Sequence, residues 1–480
     1  MHNKLIEALG YIGDAHIAEA AAPRKRKRAL PWLGAIAAVA ALAILISSVG
    51  NPALLRVQAI SLAVHPEFWV RPERDDYTSF EEYRAVLDQL DAESQEKDNA
   101  IAEAKLQLAE FFKNSNAEFL TDDPSENAIY SPINLYISLS MLAEITGNHS
   151  REQILEILNT GDTGQLREQT ALLWESVYYG YSPYRKDKHN FSILANSLWL
   201  DEGYAYDQTT MDALSQYHYA SVYQEDLDSK QAERALAAWI NQQTGNLVKG
   251  NADQLSFPPE SVLALASTVH FQAKWEDDFS ALRNKQAAFH APEGDITCTF
   301  MNKKEEQMNY YWGESFGAVS LALKNGSRMW LFLPDPDKTP EDVLAEGEYL
   351  DLIMKSSEET AAQTKYMKVN LSVPKFDINV QADLKAGLQA LGVTDVFSLQ
   401  NADFSAITGD TPVYLTAVEQ ATRVAIDEDG VTAASYVVPI GAGAAAPPEE
   451  IIDFVLDRPF VFVIASNYGL PLFAGTVNHP

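Results

Sequence analysis

One stretch limits the folds open to this chain more than any other. Two apolar, strand-like runs, Val413–Ile426 and Phe460–Ser466, are joined by a long segment of Ala, Gly, Val and Pro that carries no charge from Val431 to Pro448. A connection of this length inside a compact domain is normally functional or disordered. Disordered segments are charged and poor in apolar residues, whereas Val437, Val438 and Ile440 favour a sheet. Glu428, Asp429 and Gly430 form an acidic turn, and Val431, Thr432, Ala433, Ala434 and Ser435 follow. In a strand, Val431, Ala433, Ser435 and Val437 share a face. All are slim enough to enter between two neighbouring strands. Two readings stand at this point: a flexible Ala- and Gly-rich surface loop, or a spare strand outside a sheet that has room for it.

Helical spacing dominates the first part of the chain and strands the last, which predicts an α+β fold rather than alternating βαβ units. Helical patterns cover Ile101–Leu158, Gln165–Tyr179 and Ala232–Thr244, the last ended by Gly245. Ser150 and Gln153 have the spacing of a capping box. Phe191–Leu200 and Val262–Phe271 read as buried strands, the second a near-continuous apolar run and so covered on both faces. Strands are expected at Gly317–Lys324, Arg328–Leu333, Val369–Ile378, Val413–Ala417 and Arg423–Ile426, with one helix at Ala382–Leu391.

The N-terminal part reads differently. Residues 1–28 are short and end in the basic run Arg24–Arg28; Ala29–Val49 is apolar without a charge. The spacing predicts a short cytoplasmic segment, a spanning helix over 29–49, a juxtamembrane linker over 50–97 and a domain over 98–480. In that linker Phe80, Tyr83, Leu87 and Leu90 share a helical face. This places the chain at the cell membrane, single-pass, with its C-terminal domain outside, or secreted if the N-terminal segment is cleaved.

The net charge of −31 falls almost wholly on the proposed domain, since the first 49 residues are basic overall. Such a surface repels nucleic acid and suits basic partners. Cys298 is the single cysteine and excludes an internal disulfide. No Gly-x-Ser-x-Gly, His-Glu-x-x-His or phosphate-binding Gly-rich loop is present, and the nine histidines are scattered without metal-ligand spacing. The chain is not expected to be an enzyme, and no cofactor or metal is expected.

From about Ala100 to Pro480 the sequence resembles the serpins. Nine segments carry the resemblance in the family's order: Asn127–Leu158 with its Asn-x-x-x-Ser-Pro start, Ile193–Tyr204, Ile240–Gly250, Phe271–Phe279 with Trp275, Cys298–Lys304, Ser327–Asp335, Leu371–Ile378, Leu391–Thr408 and Arg458–Pro480. The resemblance implies large mixed and antiparallel sheets and an exposed reactive loop over 428–457. It also implies a monomer that traps serine or cysteine proteases by covalent suicide inhibition. Residues 428–435 then form the hinge. The scissile bond falls at Ala444–Ala445, counted from Glu428 and again from the pair Pro447–Pro448. Ala444 implies a target with a small specificity pocket, elastase-like or subtilisin-like. The family holds the strands that part during insertion with Ser, Asn and His. The matching positions here are Asn134, Ser267 and Glu419, with Ser131 nearby, so a rewired polar cluster is expected. Val431, Tyr436 and Pro439 depart from the family's loop pattern and keep a second reading open, a non-inhibitory binding or scaffold protein of the same fold.

Overall fold

A computed structural model of the chain describes residues 57–64, 72, 74–121, 123–177, 191–243, 256–259, 261–409, 411–416, 418–431 and 450–480. The chain divides into two units, Asn51–Pro66 with Lys97–Pro480, and Met1–Gly50 with Glu67–Glu96. The described part of the smaller unit is a 3-10 turn at Arg74–Asp76 and the first part of helix α1 (Phe80–Leu120).

The expectation of a membrane-anchored chain is corrected here. Among the described residues no helix is long and apolar enough to cross a membrane. Helix α1 has the length, but its first turns alone carry Glu81, Glu82, Arg84, Asp88 and Asp91. Ala29–Val49 lies outside the described residues.

The larger unit is α+β, as expected. Further helices are α2 (Pro132–Ile145), α3 (Asn148–Ile157), α4 (Thr163–Val177), α5 (Gln208–Tyr217), α6 (Lys230–Gln243), α7 (Pro340–Glu346), α8 (Glu348–Met354), α9 (Lys385–Ala390) and α10 (Ser405–Thr408). From Lys97 on, helix α1 buries Ile101, Ala104, Leu108, Phe111, Phe112 and Ser115, spaced three and four apart. Helix α2 is predominantly apolar, and every residue but Ser138 is buried. Only an interior position suits such a helix. Ser131 caps it, its side chain accepting from Asn134 N, and Pro132 opens the first turn, where no backbone donor is missed.

Two sheets sandwich the main core. The seven-stranded sheet contains β1 (Gln58–Ser61), β3 (Phe191–Asp201), β4 (Ala220–Glu225), β5 (Leu263–Lys274), β11 (Phe376–Asp383), β12 (Glu419–Ile426) and β13 (Gly430–Val431), in the order β1-β4-β3-β5-β13-β12-β11. The other contains β2 (Ala128–Tyr130), β6 (Lys285–Ala291), β7 (Gly294–Trp312), β8 (Phe316–Ala322), β9 (Arg328–Pro334), β10 (Thr364–Pro374), β14 (Ile451–Val455), β15 (Phe460–Ala465) and β16 (Pro471–Val477). Strands β15 and β16 are buried at every position. A second, smaller core gathers Trp199, Trp239, Ala232, Leu227 and Val57.

Three local expectations fail for tertiary reasons. Ser150 lies within α3 and accepts from Asp403 N, while the Gln153 carbonyl accepts from Thr394 N and Asp395 N, so neither side chain caps its own helix. Ala382 pairs with Gln420 in β11, which delays the following helix to Lys385. Val413–Thr416 forms no strand, although Val413 and Leu415 are buried.

Helices α2, α4 and α5 meet at a buried charge. Glu144 receives hydrogen bonds from Arg167 Nε at 2.8 Å and Arg167 Nη2 at 2.5 Å, and His218 Nε2 lies 3.3 Å away. Burial opposes ionisation of Glu144, but the bonds and charges of Arg167 and His218 outweigh it and bring its pKa down to about 2. A folded-state value below the unfolded value of about 4.3 stabilises the fold above that pH; the contribution is lost as pH falls toward 2. Glu144→Gln is therefore expected to flatten the stability profile between about pH 4.5 and 2. Urea unfolding at stepped pH checks this, and parallel wild-type and variant curves in that window contradict it.

Candidate functional site: the hinge and the seam of the seven-stranded sheet

The acidic turn after β12 is built from its own residues. Asp427 N donates to Gly430 O at 3.0 Å, and Asp427 Oδ1 accepts from Asp429 N at 2.9 Å and Gly430 N at 3.2 Å. Trp275, at the end of β5, holds the turn from the other side. Its Nε1 donates to Asp427 O at 2.8 Å and its backbone N to Asp429 O at 3.2 Å. Phe279 N donates to Glu428 O at 3.0 Å. The Glu428 carboxylate meets Lys375 Nζ at 2.5 Å and accepts from Asn284 Nδ2. Burial again opposes ionisation, but these two partners outweigh it and lower the Glu428 pKa.

The next two residues lie inside the sheet. Gly430 pairs with Lys274, Val431 with Ala273 on β5, and Val431 with Ile426 on β12. Val431 is buried. A Cβ on Gly430 would lie 2.5 Å from Ala273 O and Lys274 Cα, so only glycine fits here. Thr432, Ala433, Ala434 and Ser435, and the expected scissile pair Ala444 and Ala445, lie outside the described residues.

Beyond Val431, strands β5 and β12 are joined to each other by no ladder among the described residues. The N-terminus of α2 bridges them instead. On one side, Ser267 Oγ of β5 is hydrogen-bonded to the Asn134 amide of α2 and lies 2.6 Å from Asn196 Oδ1 of β3. Asn196 Nδ2 already donates to His218 O at 2.9 Å, so its Oδ1 takes the single hydroxyl proton of Ser267. The Asn134 amide must then present its NH2 to Ser267. On the other side, Gln420 Oε1 of β12 accepts from Ser131 N at 2.7 Å and Gln420 Nε2 donates to Ser131 O at 3.4 Å. Ser131 Oγ donates to Leu472 O at 2.6 Å. A cavity lies under this seam, lined by Leu135, Leu139, Leu265, Leu388 and Leu415, with Asn134, Ser267 and Gln420 at its polar edge.

The structure thus brings Asn134 and Ser267 together, with Ser131 at the same helix end. The Glu419 backbone pairs with Asp383, and its side chain lies outside the described residues. Gln420, one position on, makes the contact to α2.

Comparison with known proteins identifies this arrangement. The family model described as serpin (serine protease inhibitor) matches residues 107–480. The chain is a serpin. Among its curated relatives, Serpin-Z1C of Triticum aestivum is 26% identical over 74% of this chain and 90% of its own length. Neuroserpin of Homo sapiens is 25% identical over 74% and 86%. Among solved structures, the thermophilic serpin tengpin in its native state superposes with a TM-score of 0.66 at 23% identity, covering 78% of this chain and 93% of the other. Thyroxine-binding globulin in complex with thyroxine superposes at 0.65 with 19% identity, over 79% and 99%. These likenesses show the fold.

Gln420, Asn196, Lys375 and Asn284 were not among the site residues expected of this serpin. For Gln420 the signal was present. Thr422, Val424 and Ile426 alternate toward the core, and Gln420 continues that series.

Two outcomes are expected from the seam and hinge. Ser267→Ala leaves two buried amides short of a partner and should lower the unfolding free energy by about 1–3 kcal/mol; denaturant titration that finds no loss contradicts the network. Gly430→Ala should expel the hinge, seen as faster hydrogen exchange at Val431 and Ala273. Unchanged protection at both amides argues against a close-fitted glycine.

Proposed function

We propose that this serpin inhibits serine or cysteine proteases by covalent trapping followed by insertion of its loop into the seven-stranded sheet. The observation that carries the reading is the hinge: Gly430 and Val431 already pair with Lys274, Ala273 and Ile426. Extending that register puts Ala433 between Phe271 and Val424, Ser435 between Val269 and Thr422, and Val437 between Ser267 and Gln420. The core-facing residues of the incoming strand are thus small or β-branched throughout.

In the proposed reaction the protease's nucleophilic oxygen or sulfur attacks the Ala444 carbonyl carbon. The Ala444–Ala445 bond breaks, the Ala445 nitrogen leaves as a protonated amine, and an acyl-enzyme remains on Ala444. The freed loop then enters between β5 and β12 from Val431 onward and carries the attached protease along. Distortion of its active site blocks the water-dependent second half of its cycle. The driving force is a ladder of backbone hydrogen bonds on both sides of the new strand and burial of the Val431 face. The intact form is kinetically trapped. Ala444 offers one methyl group, too little to fill a deep pocket and unable to pair with a buried carboxylate, so targets with a shallow pocket are favoured.

An SDS-resistant complex with an elastase-like or subtilisin-like protease, and a released fragment beginning at Ala445, are the expected results. Val431→Arg should bury an unpaired charge between the strands and turn the inhibitor into a substrate. Clean turnover of the wild-type loop by a panel of such proteases, with no complex, would favour the non-inhibitory reading.

A further inference from the structure

The cavity under the seam has apolar walls of definite origin. Leu135 and Leu139 of α2, Leu265 of β5, Leu388 of α9, Leu415 and Val418 line it. Its free space is about 40 Å³, where a single water needs roughly 10–15 Å³. Away from the polar edge such walls suit a small hydrocarbon group better than water. Val418 continues the register of β12: Leu384 N donates to Val418 O at 2.8 Å, one rung past the pair Asp383–Glu419.

The direction of the backbone along the seam is fixed as well. Asp201 N donates to Val262 O at 2.9 Å, so the even-numbered residues of β5 turn their peptide groups to β3 and the odd-numbered ones turn theirs to the seam. Trp275 N, which donates to Asp429 O, keeps that parity. On the other side, Asp427 N donates to Gly430 O. A strand that continues from Val431 in this register bonds to β5 through its odd-numbered residues and to β12 through its even-numbered ones. The odd-numbered residues also turn their side chains to the main core, as Val431 does.

Continued along the chain, the register sets residue 439 between Leu265 and Val418, two of the cavity's lining residues. Residue 439 is proline and lies outside the described residues. Proline brings a compact hydrocarbon ring and no N–H. At this odd-numbered position the missing donor is the one due to the Leu265 carbonyl, while every bond to β12 is kept.

We propose that the cavity under the seam is the seat of the Pro439 ring, and that Pro439 divides insertion into two stages. The proposal rests on the insertion reading above. From Thr432 to Val438 the new strand gains bonds on both sides. At Pro439 the ladder to β5 skips a bond, and the step goes forward as the ring enters the cavity. Ala444, further along the loop, has not yet reached its final rung. An acyl-enzyme held at that point is undistorted and can hydrolyse, so the length of the pause sets the share of chains cut without trapping.

Three full-length variants test this, each incubated with subtilisin and with pancreatic elastase. Pro439→Val restores the N–H and keeps a branched apolar side chain for the cavity. Pro439→Ala restores the N–H but leaves the cavity unfilled. Pro439→Asp sets a charge among leucines. The readouts are the number of chains cut per protease trapped, from denaturing gels, and the melting temperature of the cleaved chain. Pro439→Val should lower the number cut per protease trapped by up to about tenfold, the effect of one recovered hydrogen bond on the rate of a step. Cleaved Pro439→Ala should melt below cleaved Pro439→Val. Pro439→Asp should be cut without trapping, and its cleaved form should melt lowest. A Pro439→Val chain that traps no larger a share than wild type overturns the pause. Cleaved Ala, Val and Asp variants that melt together overturn the seat. A wild-type chain that gains no heat resistance on cleavage overturns the insertion reading instead, and this shows before any variant is made.

Discussion

The seven-stranded sheet depends on one helix end. Strands β5 and β12 share no ladder beyond Val431 among the described residues, and both are attached to the first turn of α2. The attachments are a hydroxyl, two carboxamides and backbone groups, with no charge among them. That choice matters physically. A buried ion pair is costly to break, because each partner is left as an uncompensated charge. A neutral hydrogen bond contributes about 0.5–1.5 kcal/mol net. On the proposed insertion reading, a few such bonds would hold the seam closed and let it part at a cost that a new strand offsets.

The charges of the fold lie elsewhere. Glu144 is paired with Arg167 and His218 where three helices meet, and Glu428 with Lys375 at the hinge turn. These pairs fix the helices under the sheet and the point at which the loop leaves β12. None of the described side chains that bridge the seam is acidic.

Much of the fold could be read along the chain where burial alone decides structure. The near-continuous apolar run at Val262–Phe271 became β5, and the run from Phe460 became β15, the latter buried at every position. The acidic turn at Glu428–Gly430 was legible from its own residues. What could not be read depended on distant partners. Ser150 and Gln153 have the spacing of a local cap, yet bind residues 394, 395 and 403. Strand β1 pairs with residues about 160 positions away, and the apolar run from Ala59 by itself leaves open a strand or a segment packed on the domain. Gln420, one position after the expected Glu419, reaches α2 through Ser131.

The paired hinge also bears on how a strand could be added. Bringing a free loop to a sheet requires closing a loop of chain before the first bond repays the lost entropy, and that first step is the expensive one. Here Gly430 and Val431 already occupy the first two rungs, in register on both sides. On the proposed insertion, addition of the following residues would be elongation of an existing ladder, with no search for the chain to make. The rate would then be set mechanically, by how readily the two strands separate ahead of the growing end.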